Sequence, residues 1–222
     1  MIIGEFAFGI QAVATDESTL FFGMDETATE SAKWDAFRQG DRSAFAELYF
    51  MHYERLLNYG RRFGLPAEQV EDTIQDLFVD LWQYRATLKP TTSVRFYLLR
   101  ALRNQLSRHR REPVFADVTD QQITFTAEFS YEQQWIDLLD EQTQWQTLQN
   151  ALNALTPRQR EVLYLRFFNN LDYPQIASVM KVIYQPTRKQ VYLALKAIRE
   201  QFPVNWRTLL LVMQTTMLAE IG

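Results

Sequence analysis

Residues 66–84 read PAEQVEDTIQDLFVDLWQY, and this stretch decides the fold class. Proline at the first position is typical of a helix start. The residues that follow alternate between apolar and acidic at helical spacing. The apolar positions are Val70, Ile74, Leu77, Phe78, Leu81 and Trp82. The opposite side carries Glu71, Asp72, Gln75, Asp76 and Asp80. The stretch therefore predicts an amphipathic helix with one acidic face.

Helical periodicity continues on both sides of this stretch. Upstream, Asp41 precedes apolar residues at helical spacing that run towards Gly60. Downstream, a further helix is predicted to end at Pro113, because the residue before a proline disfavours the helical conformation. Between positions 81 and 111 there are eight bases and no acid. Bases beside aromatic residues suit a nucleic acid, whose phosphates need neutralising and whose unstacked bases need a flat partner. A solvated basic face is the alternative.

A second helical block follows after position 150. Thr156-Pro157-Arg158-Gln159 predicts a capping box at the start of one helix, and Asp172 is predicted to cap the next. A third helix is expected to begin near Tyr184 and to end near Glu200. Two short helices joined by a tight turn are typical of a helix-turn-helix, in which the second helix enters a major groove. A three-helix bundle that does not bind DNA is the alternative.

Composition excludes several classes of protein. The chain has 222 residues, a net charge of −4, no cysteine and two histidines. Disulfides and thiolate metal sites are therefore excluded, and no metal or other cofactor is expected. None of its seven glycines lies between positions 65 and 221. A glycine-rich phosphate loop is excluded there, and no set of nucleophile, base and oxyanion donors is evident, so an enzyme is not expected.

The net charge is the sum of very unequal segments. Residues 1–31 carry six acids and no base, and residues 113–150 carry seven acids and no base. The block between these two segments and the block after the second segment each carry more bases than acids. This pattern predicts an all-α protein of two small helical domains joined by an acidic linker, the second a helix-turn-helix bundle. We expect a leader over 1–30, domains over 31–112 and 145–201, a linker over 113–144 and an amphipathic extension over 202–222.

The two blocks resemble bacterial sigma factors. Residues 70–82 are similar to the polymerase-binding helix of that family, and residues 94–104, VRFYLLRALRN, are similar to its promoter-melting helix. Residues 155–163, LTPRQREVL, together with 176–195 resemble its second DNA-binding domain. The small size points to the extracytoplasmic-function (ECF) group, which keeps only these two domains. The turn departs from the family pattern, since Lys181 and Ile183 stand where glycine and a small capping residue are usual.

The resemblance implies a function and assigns residues to it. The chain would bind core RNA polymerase, direct it to promoters and help to melt the minus-ten element. The clamp helices of the largest polymerase subunit would contact Glu71, Asp72, Gln75, Asp76 and Asp80. The minus-ten element would contact Arg85, Lys89, Thr91, Ser93, Arg95, Arg100, Arg103, Asn104 and Arg108. The minus-thirty-five element would contact Lys181, Tyr184, Gln185, Thr187, Arg188, Lys189 and Tyr192. The second domain would also contact the flap of the second-largest subunit.

Other partners and other functions stay open at this point. An anti-sigma factor is an expected partner, and a small-molecule substrate is not. The chain lacks a basic segment before Lys33 and any long apolar run, so a cytoplasmic location is expected. A helix-turn-helix regulator of another class would explain the second block alone. A sigma-like adaptor that binds proteins and has lost promoter recognition would fit the unusual turn.

Overall fold

The architecture is that of a computed structural model, which describes residues 26–109, 124–126, 149–182 and 184–201. All regular secondary structure within these ranges is helical, which confirms the predicted all-α class. Most of the predicted leader, most of the acidic linker including Pro113, and the 202–222 extension lie outside the described residues.

The helices fall into two groups along the chain. The first helical group contains α1 (Glu26–Arg38), α2 (Arg42–Arg61), α3 (Ala67–Tyr84) and α4 (Val94–His109). The second helical group contains α5 (Pro157–Leu163), α6 (Tyr173–Met180) and α7 (Tyr184–Gln201). A short 3-10 turn, Arg85–Thr87, follows α3, and a π-helix, Tyr164–Phe168, continues α5.

Local capping signals set several helix starts. The carboxylate of Asp41 accepts hydrogen bonds from two backbone N–H groups in the first turn of α2. Thr156 with Gln159 forms a capping box at the start of α5, and Asp172 with Gln175 forms another at α6. Each box satisfies backbone donors that a helix leaves without an internal partner. The three predicted starts are therefore confirmed.

Helix α1 was not predicted from the sequence, and its first residues overlap the expected leader. Its apolar side is buried: Trp34 and Phe37 are each only 1% exposed. Its acid Glu30 is also buried and lies 2.7 Å from the Nε2 atom of His52 in α2. This contact holds the start of α1 onto α2.

The core of the first helical group follows the predicted periodicity. The apolar side of α3 is buried at Val70, Ile74, Leu77 and Leu81. It packs against a buried stripe of α4 that consists of Leu98, Leu99, Leu102 and Leu106. Since every buried apolar residue removed from water stabilises the fold, this packing fixes which faces of α3 and α4 remain at the surface.

The turn between α6 and α7 forms although it lacks glycine. Lys181 ends α6 in the left-handed conformation, with φ 54° and ψ 44°. The N–H group of Val182 then donates to the carbonyl of Ala177. A non-glycine residue in this conformation costs about 1 kcal/mol, which the surrounding packing offsets. Pro186 is the third residue of α7 and so lies in its first turn, where a missing N–H is tolerated.

The two helical groups pack against each other. Helix α4 lies along α6, and buried residues of both groups belong to one continuous apolar cluster. Phe125, from the segment between the groups, is 2% exposed and lies among their aromatic rings. This packing brings the second group onto α4, which carries Arg95, Arg100, Arg103 and Arg108.

Candidate functional site

The acidic face of α3 is a continuous surface. Asp72, Gln75, Asp76 and Asp80 are all exposed, and they follow one another along one side of the helix. Glu71 is half-buried, and its Oε1 atom lies 3.8 Å from Nη2 of Arg61. The structure therefore brings together the five residues that the resemblance assigned to polymerase contact.

An apolar side chain lies within this acidic surface. Val79 is 49% exposed and stands beside Asp80 and one helical turn from Asp76. The side-chain amide of Gln105 in α4 donates to Asp80 over 3.3 Å. An exposed apolar residue rimmed by carboxylates is typical of a protein-binding surface rather than of a nucleic-acid site.

The loop between α3 and α4 carries four of the residues assigned to the minus-ten element. The guanidinium of Arg85 stacks over the Trp82 ring at 4.5 Å, and its Nη1 atom donates to the Trp82 carbonyl over 2.6 Å. Lys89 is exposed. Ser93 accepts a hydrogen bond from the N–H group of Phe96 and thereby caps α4, and Thr91 accepts one from the N–H group of Ser93. The hydroxyls of Thr91 and Ser93 thus shape the loop.

Side chains of α1 hold this loop in place. The Ser31 hydroxyl donates to the carbonyl of residue 91 over 2.9 Å, and the Trp34 indole donates to the carbonyl of residue 89 over 3.0 Å. Arg38 donates from Nε to the Leu88 carbonyl over 2.7 Å. Sequence reasoning missed these three residues, because their partners are 50 to 60 positions away and are backbone atoms.

The bases of α4 divide into exposed and buried sets. Arg100 and Arg108 are exposed, and Arg95 and Asn104 are half-buried. Arg103 is only 5% exposed, although the resemblance assigned it to the minus-ten element together with Arg100. In this arrangement Arg103 is therefore turned away from the solvent, and its assignment to DNA remains a prediction.

Arg103 is buried because it pairs with the second helical group. Its Nε atom lies 2.6 Å from Oε1 of Glu161 in α5, and its Nη2 atom lies 3.2 Å from Oε2. The Tyr59 hydroxyl donates to the same Oε1 atom over 2.7 Å. Burial, and then the nearby charge of Glu161, raise the pKa of Tyr59 well above its ordinary value, so the hydroxyl keeps its proton.

Helix α7 presents part of the predicted major-groove surface. Arg188, Lys189 and Tyr192 are exposed, and Lys181 is exposed at the turn. Thr187 is only 1% exposed, so it packs inside the second helical group in this structure. The side chains of Tyr184 and Gln185 lie outside the described residues. The exposed residues of α7 itself therefore contribute two positive charges and one aromatic ring, and Lys181 adds a third charge at the turn.

The described part of the chain offers neither a metal site nor a membrane span. No group of three or more histidine or acidic side chains there could hold a metal ion. None of the helices in the described ranges is long and apolar enough to cross a membrane.

Comparison with known proteins identifies the two helical groups. The sigma-70 region 2 family matches residues 48–112, and the sigma-70 region 4 family matches residues 145–198, which together make up more than half of the chain. The RNA polymerase sigma factor NccH of Alcaligenes xylosoxydans xylosoxydans is 24% identical over 164 residues, which are 71% of this chain and 86% of that protein. The ECF RNA polymerase sigma factor SigL of Mycobacterium tuberculosis is 26% identical over 156 residues, which are 68% of this chain and 85% of that protein.

A solved structure has the same fold. It is the structure of CnrH in complex with the cytosolic domain of CnrY, and it is 19% identical to this chain. The TM-score is 0.52, and the alignment covers 78% of this chain and 97% of that one. Both regions are matched in the order and at the separation that the sequence motifs predict. The chain therefore belongs to the sigma-70 family of RNA polymerase sigma factors, in its ECF group.

Proposed function

We propose that this chain binds core RNA polymerase through the acidic face of α3 and presents α4, the preceding loop and α7 to promoter DNA. The observation that carries the proposal is the division of charge between packed helices. Exposed carboxylates lie on α3, while exposed arginines lie on α4 and α7. A protein partner and a polyanion can therefore bind at the same time on different surfaces.

The minus-ten element would be held by α4 and its loop as it opens. Arg100 and Arg108 are exposed to neutralise phosphates, and Tyr97 and Phe96 lie half-buried beside them. Burial raises the pKa of Tyr97, although the charge of Arg100 opposes this rise, so the phenol stays neutral and can stack. Binding energy from such contacts would favour the separated strands, and no bond would be made or broken by this chain.

The minus-thirty-five element would be read as duplex DNA by α7. Arg188, Lys189 and Tyr192 lie in its first half, where a recognition helix meets base edges and phosphates. The turn before α7 forms with Lys181 in place of glycine, so the helix-turn-helix geometry is kept. A helix-turn-helix regulator of another class would leave the acidic face of α3 unexplained. An adaptor without promoter recognition would leave the exposed bases of α7 unexplained.

The location and the remaining partners follow from this function. Transcription takes place in the cytoplasm of a bacterium, so we place the protein there. Regulation by an anti-sigma factor is proposed because a related structure contains a partner of the sigma-like chain. The flap of the second-largest polymerase subunit is the proposed contact of the second helical group.

The test separates polymerase binding from promoter choice. Replacing Asp72 and Asp76 together by asparagine removes two charges from exposed positions without changing side-chain size. We expect binding to core polymerase to fall by at least about tenfold, since each lost interfacial ion pair costs roughly 1 kcal/mol or more. Glu54→Gln is the matched control, because Glu54 is an exposed acid on α2 outside the acidic face.

Promoter choice is measured with a second variant. Arg188→Gln should leave core binding unchanged and alter the set of start sites in transcription from a genomic promoter pool. Lys196→Gln is the control on the same helix, because Lys196 is exposed and pairs with Glu200 rather than lying among the predicted contacts. If Arg188→Gln weakened core binding while the Asp72 and Asp76 variant retained it, the assignment of the two surfaces would be wrong.

A further inference from the structure

Three side chains of α1 donate hydrogen bonds to the backbone of the loop between α3 and α4. We infer that Ser31, Trp34 and Arg38 are positioning residues for minus-ten recognition, because they fix the loop backbone and thereby decide which bases the loop accepts. This rests on the proposed function, which places the minus-ten element against the loop. None of the three residues is among those that the resemblance assigns to DNA.

The three donors are spaced so that one face of α1 meets one stretch of backbone. Positions 31, 34 and 38 are three and four residues apart, which places their side chains above one another on a helix. Their acceptors are the carbonyls of residues 91, 89 and 88, at 2.9, 3.0 and 2.7 Å. Since the acceptors follow in the reverse order of the donors, the loop runs antiparallel to α1 across this face.

Fixing these carbonyls also fixes N–H groups of the loop. Peptide bonds between non-proline residues are trans, so each N–H group points opposite to the carbonyl of the preceding residue. The carbonyls of residues 88 and 91 point at α1, and the N–H groups of Lys89 and Thr92 therefore point away from it. Both residues are exposed, and within the described ranges neither N–H group has an acceptor. Helix α1 thus sets the direction of two backbone donors on the open side of the loop.

Helix α1 is a rigid support for the loop because its own contacts are buried. Trp34 is 1% exposed, and its ring lies 5.3 Å from the Phe37 ring and 5.1 Å from the Tyr97 ring of α4, measured between centroids. At the start of the helix, Glu30 lies 2.7 Å from Nε2 of His52 in α2. A tightly packed indole cannot follow a loop that moves. Any other loop conformation would therefore leave the buried N–H group of Trp34 without its acceptor, which costs free energy.

The side chain of Arg38 is itself oriented by a neighbour in α1. Its Nη1 atom donates to Oδ1 of Asp35 over 2.8 Å, while its Nε atom donates to the Leu88 carbonyl over 2.7 Å. Because the guanidinium is planar, two such bonds fix its plane. Within the described residues Asp35 makes no hydrogen bond to the loop. A substitution at Asp35 therefore acts on the loop only through Arg38.

The bonds from α1 restrict the loop before DNA arrives. A loop with several conformations can adapt to several bases, and it loses conformational freedom when it binds any of them. A loop that is held in one conformation rejects a base that does not fit, because that base leaves polar groups unpaired. Removing a bond from α1 should therefore lower the discrimination between bases.

The test uses the complete chain with core polymerase. A promoter that the unaltered chain selects from the genomic pool is randomised over its minus-ten element, and transcripts are counted for each base at each position. Ser31→Ala should reduce the ratio between the preferred and the disfavoured base at one or more positions by about fivefold, the factor that corresponds to one hydrogen bond. Ser31→Thr keeps a hydroxyl donor and should keep the ratio.

Asp35→Ala tests the same effect through Arg38. It should reduce the same ratio, because Arg38 loses the partner that orients its guanidinium. Glu47→Ala is the matched control. It removes the 2.8 Å ion pair between Lys33 of α1 and Glu47 of α2, which resembles the pair of Arg38 with Asp35 in length and exposure but does not involve the loop. This control should leave the ratio unchanged, and binding to core polymerase should be the same in all four variants.

The pattern of ratios decides between a positioning role and a merely structural one. A ratio that falls in Ser31→Ala and is kept in Ser31→Thr supports the inference. Unchanged ratios in both Ser31→Ala and Asp35→Ala would overturn it, as would an equal loss of transcription with every base or an equal fall of the ratio in Glu47→Ala. If Ser31→Ala proves unfolded by circular dichroism, Asp35→Ala decides by the same ratio. Failure of the proposed function would be seen separately, as absence of promoter-specific transcription by the unaltered chain with core polymerase.

Discussion

Gly60 is the position where the packing of α2 against α3 leaves no room for a side chain. A Cβ atom added there would lie 2.4 Å from Cγ1 of Val70 and 3.7 Å from Cδ1 of Leu106. Val70 is fully buried, and its β-branched side chain has few rotamers to which it could move. Gly60→Ala must therefore push α3 away from α2 rather than displace a flexible group.

The magnitude is the difference between two opposing effects. Overpacking a well-ordered core costs typically about 1–3 kcal/mol, and a contact this short between helices belongs at the upper end. Replacing glycine by alanine inside a helix returns about 1 kcal/mol, because the unfolded chain loses freedom and the helix gains propensity. We expect a net loss of about 2 kcal/mol, which corresponds to a fall in Tm of about 4–8 °C for a chain of this size.

The assay is urea unfolding monitored by circular dichroism. A double-mutant cycle tests whether the clash with Val70 causes the loss of stability. Val70→Ala removes the clashing methyl groups and is itself destabilising, because it leaves a cavity in the core. In the double variant the clash is absent, so its free energy of unfolding should exceed the value expected from adding the two single effects by about 1–2 kcal/mol. The prediction would be wrong if Gly60→Ala were at least as stable as the unaltered chain. It would also be wrong if the effects of the two substitutions on the free energy of unfolding were strictly additive.

Two further predictions concern α1. Burial raises the pKa of Glu30, but the hydrogen bond from His52 together with nearby positive charges outweighs this, so the pKa lies below its ordinary value. Glu30→Gln should therefore destabilise the chain at neutral pH. The difference in unfolding free energy between the variant and the unaltered chain should shrink as the pH falls through that lowered pKa. A difference that stayed constant down to acidic pH would contradict this prediction. Arg38→Ala removes the hydrogen bond to the Leu88 carbonyl in the loop before α4. It should change the base preference in a randomised minus-ten library and leave binding to core polymerase unchanged. Arg42→Ala, at an exposed position of α2, is the control and should change neither base preference nor core binding.

The parts of the fold that follow from local interactions were predictable. The capping boxes at Thr156 and Asp172 lie within four residues of sequence, so their hydrogen bonds are readable without any tertiary information. The amphipathic pattern of α3 likewise assigned its buried and exposed sides correctly. The family match confirms the function that these motifs indicated.

The parts that depend on distant partners were not predictable. Helix α1 begins within an acidic stretch and has only a weak apolar stripe, and it is fixed by the burial of Trp34 and by contacts to the loop before α4. Phe125 lay in a segment read as an acidic linker, yet it is almost fully buried between the two helical groups. Neither position shows a periodic signal that would have revealed its environment.

The sequence by itself determined the helices after α1, their order and the family, because capping, periodicity and motif spacing act over a few residues. Only the tertiary structure decided which charged residues are exposed to solvent and which are buried. Arg103 and Glu161 are 58 positions apart, and Tyr59 and Glu161 are 102 apart. Their pairing comes from the packing of the two helical groups, since a charge is buried only where a partner from elsewhere in the chain compensates it.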